Sequence, residues 1–248
     1  MRPRTPHNQR KAFINILING ASSGLGSGMA HAFTAQRHNL ALCARRLDQL
    51  TELREQLLRD FPAIHVSIQV LDVTDYLQVF EVFHEFNKEF SSIDRIIVNA
   101  GLGKGPSLGT GCFDANLATA NTNFVDTLAQ CEAAMEIFRA QGRGHLVTVA
   151  SVAAIRGQKN ASLTYAATKA GLASMSEGLR LECRDTAIYV TTLFPGFIST
   201  EITKYSGKKP FQVDLTTGCK AMVRAIERKP ATACVPSCPW TPISFILK

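Results

Sequence analysis

The feature that most constrains this chain is a short apolar run that ends in a dense glycine turn and passes at once into a helix-forming stretch. Residues 13–18 read Phe-Ile-Asn-Ile-Leu-Ile, a short run rich in β-branched side chains, hence a buried strand. Gly20-Ala21-Ser22-Ser23-Gly24-Leu25-Gly26 follows, and residues 26–36 then carry Met29, Ala30 and Phe33 at helical spacing. The alternation repeats along the chain. Further strands are predicted at 40–44, 66–71, 93–98, 145–150, 188–194 and 232–235, with helices at 47–59, 76–90, 116–140, 164–185 and 215–228. Strands separated by helices of this length pair in parallel, and a parallel sheet must be covered on both faces. The expectation is an α/β fold of three layers (αβα), with a doubly wound parallel sheet of about seven strands.

A length of 248 residues suits one such domain, predicted over 12–248 behind a basic, proline-rich tail at 1–11. No apolar run reaches the roughly 18 residues of a membrane span, and the N-terminus lacks the apolar core of a secretory signal. The seven cysteines (43, 112, 131, 183, 219, 234 and 238) are scattered and odd in number, which predicts reduced thiols in a cytoplasmic protein. Cys234 and Cys238 find no second pair to complete a zinc site, so no metal is expected. A net charge of +7 raises nucleic acid as a partner, but the cations are dispersed and no binding motif accompanies them; no nucleic-acid partner is predicted. Phe80, Phe83, Phe86 and Phe90 recur at helical spacing and read as core. Residues 197–213 lack periodicity and follow the sixth strand, so they lie at the carboxyl edge, as a lid or as a plain connection.

The turn at Gly20, Gly24 and Gly26 has the spacing Gly-x-x-x-Gly-x-Gly. Small residues let a backbone approach a pyrophosphate, and the helix start supplies N–H donors and positive dipole. An acidic residue about 20 positions on would hold the ribose hydroxyl of NAD. Counted from Gly24, that place is Ala44, followed by Arg45 and Arg46. Guanidinium suits a 2′-phosphate, which favours NADP(H) over NAD(H), unless the arginines only solvate the next helix.

Tyr-Ala-Ala-Thr-Lys at 165–169 puts Tyr165 and Lys169 on one helix face. An ammonium there can lower a phenol pKa of about 10 and make Tyr165 a proton donor and acceptor near neutrality. Ser151 lies fourteen residues upstream of Tyr165.

With these motifs in view, residues 13–200 resemble the classical short-chain dehydrogenases/reductases. The resemblance is carried by Asn19-Gly-Ala-Ser-Ser-Gly-Leu-Gly26, Asp72-Val73, Asn99-Ala100-Gly101, Asn123, Ser151, Tyr165-x-x-x-Lys169 and Pro195-Gly196, in family order. It implies a Rossmann fold and hydride transfer between nicotinamide and a carbonyl or secondary alcohol. It further implies that Tyr165 moves the proton and Ser151 polarises the substrate oxygen. Lys169 would bind the nicotinamide ribose, and Asn123 would hold a water that relays protons towards Lys169. Ser22, Ser23 and Leu25 would belong to the phosphate turn. Asp72 and Val73 would lie at the adenine, and Asn99, Ala100 and Gly101 beside the cofactor. Pro195, Gly196, Ile198 and Thr200 would line the carboxamide. One by one, blander readings exist: Ser151 as a strand-end cap, Asn123 as an ordinary helix residue.

Where the family usually has Thr, this chain has Asn19, which can still bond across the turn. Family members commonly pair two long helices across a two-fold axis. Here Ala129, Ala133, Ala134, Ala166, Ala167, Ala170, Gly171 and Ala173 would permit that contact, giving a homodimer or homotetramer; facing the protein's own sheet is the alternative. The apolar end, 240–248, could cover the substrate cleft, pack on a neighbouring subunit or touch a membrane surface. Phe197, Tyr205, Phe211 and Ile155 favour an apolar substrate. Against the reductase stands a dinucleotide-binding regulator on the same fold, which needs the glycine turn but not Tyr165.

Overall fold

The computed structural model describes residues 13–103, 105–200 and 209–247. The tail at 1–11, Tyr205 and residues 201–208 of the candidate lid lie outside the described residues.

Seven strands form one sheet: β1 (Asn15–Asn19), β2 (Asn39–Ala44), β3 (Val66–Val70), β4 (Arg95–Val98), β5 (Arg143–Val149), β6 (Ala187–Pro195) and β7 (Thr232–Val235). Their order is β3-β2-β1-β4-β5-β6-β7, and every pairing is parallel. The helices are α1 (Gly24–Thr34), α2 (Leu47–Asp60), α3 (Tyr76–Glu89), α4 (Phe113–Ala120), α5 (Asp126–Gln141), α6 (Leu163–Glu182), α7 (Leu215–Glu227) and α8 (Ser237–Leu247). This is the doubly wound Rossmann architecture that the alternation predicts.

The period-two geometry of the strands builds the two cores. Ile16 and Ile18 point to one face, with Leu40, Leu42, Val147 and Leu193, and meet Phe33, Leu50 and Met222 of α1, α2 and α7. Leu17 points to the other, with Ala41, Ile96, Leu146 and Val190, and meets Phe83, Phe86 and Phe138 of α3 and α5. Phe83 and Phe86 are fully buried, so the aromatic stripe of α3 is core as predicted. The helix pair read as small-residue contact splits: Ala133, Ala134 and Ala166 are buried, the first two within the second core against this chain's own sheet.

Two elements depart from the sequence reading. The helix predicted at 116–140 is α4 and α5 joined by a π turn, Asn121–Val125. The Thr127 hydroxyl donates to the Thr122 carbonyl across it at 3.2 Å. The wider turn carries Asn123 into the interior, where it is fully buried. The second is α8, for which prolines hid the signal. Cys238 is extended, Pro239 follows it, and Pro242 still lies within the first turn, where loss of an amide donor costs least.

At the amino edge of the sheet, Arg95 is buried and ion-paired. Its Nη1 donates to Glu227 Oε1 at 2.7 Å and its Nε to His145 Nδ1 at 3.0 Å. The other ring nitrogen of His145 lies 2.9 Å from Thr191 Oγ1, whose hydrogen goes to the Pro230 carbonyl. Burial, with Arg95 and Lys229 close by, pushes His145 down to about 2, so it is a neutral donor–acceptor here. The network ties β4, β5, β6 and α7 together. Glu227→Ala strands the buried guanidinium, and the expected loss is about 3 kcal/mol of unfolding free energy, measured by urea denaturation.

Candidate active site

The strand order reverses between β1 and β4, and ligands of such sheets sit outside the carboxyl ends at that point. A cleft of about 390 Å³ opens there. Gly20, Ser22, Ser23, Gly24, Leu25, Arg45, Arg46, Asp72, Val73, Asn99, Ala100, Gly101, Ser151, Tyr165, Lys169, Pro195, Gly196, Ile198 and Thr200 all line it. Of the residues predicted from sequence, Gly26 and Asn123 stand behind the wall, and Ile155, Phe197 and Phe211 are not among its lining.

The glycine turn is shaped by backbone need. Gly20 and Gly24 have φ of +61° and +56°, the left-handed region that a side chain resists. A Cβ on Gly26 would fall 2.2 Å from the Gly20 carbonyl oxygen, so only hydrogen fits where α1 meets the turn. Asp75 and Asp214 cap α3 and α7, accepting from Gln78 and Thr217 backbone N–H groups at 3.1 and 2.8 Å. α1, like α2, α4, α5 and α6, has no side-chain cap; it has no acid in its first turn, and it alone of these starts in the glycine turn that lines the cleft. Its first N–H groups and dipole are left for an anion. The residue that could cap it, Ser23, instead meets Arg46. Arg46 Nη2 donates to Ser23 Oγ at 2.7 Å and to Ser22 Oγ at 3.1 Å. Arg45 is exposed at the rim.

Two asparagines bridge the gap between β1 and β4. Asn19 Oδ1 accepts from the Asn99 and Ala100 backbone N–H groups at 2.6 and 2.9 Å. Asn99 Nδ2 donates back to the Asn19 and Gly20 carbonyls at 3.2 and 3.3 Å. Asn19 thus spans the turn as expected. Beyond β3, Asp72 accepts from the Thr74 N–H and hydroxyl at 3.1 and 3.0 Å, which fixes that corner of the cleft.

At the other end stand Ser151, Tyr165 and Lys169. Ser151 Oγ accepts from Ala153 N at 3.1 Å and so caps a 3-10 turn, Val152–Ile155, while lining the cleft. Lys169 is buried, and its Nζ donates to the Val149 carbonyl at 2.8 Å. Burial pulls its pKa down to about 8. Burial pushes the Tyr165 phenol up, against a hydrogen bond with Ser151 that favours the phenolate. The sequence expectation was a phenol lowered by Lys169. The ammonium is engaged by Val149 instead, and desolvation dominates.

Residues 15–210 match the family model described as short chain dehydrogenase. The chain belongs to the short chain dehydrogenase family. An uncharacterized oxidoreductase of Mycobacterium tuberculosis is 50% identical to this dehydrogenase over 228 residues, covering 92% of this chain and 90% of that one. An NADP-dependent 3-hydroxy acid dehydrogenase of Schizosaccharomyces pombe is 33% identical over 202 residues, 78% of this chain and 76% of that one. Among solved structures, an alcohol dehydrogenase from the archaeon Thermococcus sibiricus, complexed with 5-hydroxy-NADP, superposes with a TM-score of 0.79. It shares 22% identity, with 90% of this chain and 96% of that chain covered. The short chain dehydrogenases are oxidoreductases that act on CH–OH and C=O groups.

The cleft of the dehydrogenase is also lined by residues that the motifs do not announce. Thr122, from the π turn, lines the cleft, as do Thr74, Leu102 and Val149. Asn123 serves the wall from behind. Its Oδ1 accepts from Leu102 N at 2.7 Å, and its Nδ2 donates to the Leu102 carbonyl at 2.8 Å and to Thr168 Oγ1 at 3.3 Å. Asn116 does the same further out: its Nδ2 reaches the Pro106 carbonyl at 3.2 Å, and its Oδ1 accepts from the Thr164 hydroxyl at 2.7 Å. Thr164 adjoins Tyr165, so Asn116 ties the loop after β4 to the tyrosine helix. The only signals for these were a polar residue inside an apolar helix period and, for Thr122, its place beside Asn123.

The depressed Lys169 sets a stability profile. Unfolded, this lysine keeps its proton up to 10.5; folded, it releases it near 8. Between these values the unfolded chain binds the extra proton, so stability rises with pH there, and below them the fold bears the full cost of a buried ammonium. Lys169→Met removes that cost. The protein without cofactor is expected to gain about 1–2 kcal/mol near pH 7, net of the lost Val149 bond, with the gain shrinking towards about pH 10. Denaturation curves at neutral and alkaline pH measure both.

Proposed function

We propose that this dehydrogenase binds NADP(H) in preference to NAD(H) and uses Tyr165 as general acid and base on a carbonyl or secondary alcohol substrate. The observation that carries the reading is one continuous cleft with an anion-ready, arginine-flanked helix start at one end and Ser151, Tyr165 and Lys169 at the other. The bound cofactor supplies the hydride in reduction and accepts it in oxidation.

In this reading the first N–H groups of α1 hold the pyrophosphate, and the cradle at Gly20 and Gly26 has room only for backbone against it. Arg46, with Ser22, Ser23 and Arg45, takes the 2′-phosphate. Ala44 stands where a ribose-binding carboxylate is expected and is followed by the two arginines, while Asp72, a carboxylate in the lining, is engaged by Thr74 at the corner after β3. The NADP-dependent relative and the NADP-type ligand of the archaeal alcohol dehydrogenase support this preference. Asp72 and Val73 flank the adenine, and Asn99, Ala100 and Gly101 the ribose side. Pro195, Gly196, Ile198 and Thr200 form the carboxamide end.

For carbonyl reduction, Ser151 donates to the substrate oxygen and polarises it. Tyr165 then passes its phenolic proton to that oxygen as the carbon takes the hydride. The product is the alcohol, and the phenolate left on Tyr165 is reprotonated from the Lys169 side. A phenol raised by burial is held in the proton-donating form at neutral pH, which favours the reductive direction. Asn123 positions the loop at Leu102. Phe197, Phe211 and Ile155, which favour an apolar substrate by sequence, stand outside the cleft's lining, so the substrate's polarity is left to a carbonyl panel to decide.

We place the protein in the cytoplasm with its thiols reduced. All seven cysteines are free, and Cys43, Cys131, Cys183 and Cys219 are buried. No helix among the described residues is long and apolar enough to cross a membrane. A homodimer or homotetramer would cover the apolar side chains exposed along α4, the π turn and α5, notably Phe113, Leu117, Val125 and Leu128.

Two experiments test the reading. In Arg45→Asp combined with Arg46→Ala, the ratio of NADPH to NADH affinity, read by fluorescence titration, falls about tenfold to 10²-fold, the worth of one or two charge-assisted bonds. Tyr165→Phe keeps NADPH affinity and loses about 10²–10⁴-fold in turnover across a carbonyl panel. In the unmodified enzyme, reduction is level through neutral pH and falls as the phenol ionises at alkaline pH, whereas oxidation rises.

A further inference from the structure

The described chain returns to the cleft once more, after β7. Pro195 of β6 pairs with Val235 of β7, and the Gly196 N–H donates to the Val235 carbonyl at 2.9 Å. The segment after β7 therefore emerges beside Pro195 and Gly196, which line the cleft. It places the indole of Trp240 there. A Cβ on Gly196 would lie 2.0 Å from Trp240 Nε1 and 2.3 Å from its Cε2. The indole occupies the space of the missing side chain, so residue 196 has room for hydrogen alone.

From that seat Trp240 meets two further rings. Phe197 packs edge-on at 5.3 Å and Phe211 edge-on at 6.2 Å between centroids. Phe197 lies on the limb that leaves the cleft floor, and Phe211 on the limb that comes back. The two limbs are joined by a short ladder. Val213 N donates to the Phe197 carbonyl at 3.0 Å, Ser199 N to the Val213 carbonyl at 2.9 Å, and Gln212 Nε2 to Ser199 Oγ at 2.9 Å. Ile198 and Thr200, on the outgoing limb, line the cleft. Trp240 is 6% exposed, although its neighbours Phe245 and Ile246 on α8 are 74% and 84% exposed. Its Nε1 finds no hydrogen-bond partner among the described residues. A buried indole normally satisfies that group, so packing, not hydrogen bonding, holds the ring in place.

We infer that Trp240 is a positioning residue for the nicotinamide end of the cleft: it wedges Gly196, Phe197 and Phe211 together and so fixes Ile198 and Thr200 on the cofactor. The inference rests on the cofactor reading above and goes beyond it by making α8 part of the active site. It also sorts the two halves of the ligand. The adenosine end, at Arg46 and Ser22, lies beside β2 and the start of α1, whereas the ring contacts of Trp240 are to Phe197 and Phe211 at the nicotinamide end. Displacement of a supporting group by about 1 Å can cost on the order of 10²-fold in rate.

The test compares two ligands, NADPH and 2′,5′-ADP, which carries only the adenosine end. Both are titrated by calorimetry into the full chain as wild type, Trp240→Ala and Trp240→Phe. The expected result is that Trp240→Ala keeps 2′,5′-ADP affinity within about twofold, loses tenfold or more for NADPH and more in turnover, and is partly rescued by Trp240→Phe. NADPH affinity and turnover unchanged in Trp240→Ala, or an equal loss for both ligands, overturns the inference. Absence of NADPH binding in the wild type overturns the cofactor reading instead. Should Trp240→Ala fail to fold, Trp240→Phe carries the same contrast between the two ligands, and the unaltered protein tests the placement of the indole. Trp240 is the sole tryptophan, so its emission reports this site alone. NADPH is expected to quench it with sensitised nicotinamide emission, and 2′,5′-ADP to leave it unchanged. No quenching by bound NADPH overturns the inference.

Discussion

The break between β1 and β4 is where the chain must reconcile two loops that leave adjacent strands in opposite directions. Parallel pairing carries the β1 loop towards α1 and the β4 loop towards α4, so the two turn away from each other and leave a crevice. A crevice between strand ends exposes unpaired backbone groups, which cost free energy if they are buried unsatisfied. Asn19 and Asn99 resolve this by exchange, each side chain serving the other's backbone. The exchange fixes the glycine turn relative to Asn99–Gly101, and therefore the two walls of the cleft relative to each other. Everything placed further along, from Arg46 to Lys169, is positioned against those walls.

The polar groups of the interior divide into two populations with opposite consequences. At the amino edge, Arg95, His145, Thr191 and Glu227 satisfy one another and hold the sheet closed. At the carboxyl edge, Lys169 is held by a single carbonyl, and Tyr165 by a hydrogen bond with Ser151. Charge that is paired at one edge is kept under-solvated at the other. An under-solvated lysine and phenol are poor for stability and suited to proton transfer, since small changes in their surroundings move the equilibrium between them.

The fold was legible because β1, β2 and β4 have apolar centres (16–18, 40–44 and 96–98) that alternate with helical segments, the pattern of a parallel sheet covered on both faces. The cofactor turn and the Ser151, Tyr165 and Lys169 set were legible for another reason: glycines, arginines and a spaced Tyr–Lys pair leave few physical alternatives at those positions. What the sequence hid was carried by the backbone. The Val149 carbonyl that binds Lys169 has no side-chain signature. The π turn at Asn121–Val125 adds one residue to a helical turn that still reads as continuous. α8 was concealed by Pro239 and Pro242, which argue against a helix unless they fall at its start. The small residues of α5 allowed either a neighbouring subunit or this chain's own sheet, and Ala133 and Ala134 serve this chain's own core. Composition cannot tell one packed face from another.

The two ends of the cleft are also held by different kinds of force, and this bears on how each can vary. The nucleotide end stands on a tight turn fused to a strand and a helix, where a single Cβ at Gly26 would collide with backbone. The substrate end stands on loops that need braces. Asn123 clamps Leu102 through a pair of amide bonds and Asn116 links Pro106 to Thr164, while Trp240 wedges the loop after β6 by contact of rings. Removing an amide clamp strands a buried donor or acceptor, at about 1–3 kcal/mol each. Removing the indole leaves a cavity into which loops can relax, and the cost is then spread over geometry as much as stability. A loop braced by packing can therefore be reshaped by exchanging one ring for another of different volume. A loop clamped by amides tolerates little change short of losing its place. On the function proposed above, variation in the substrate accepted is accommodated most cheaply on the Trp240 side of the cleft, with the Asn123 side as the fixed reference for Tyr165.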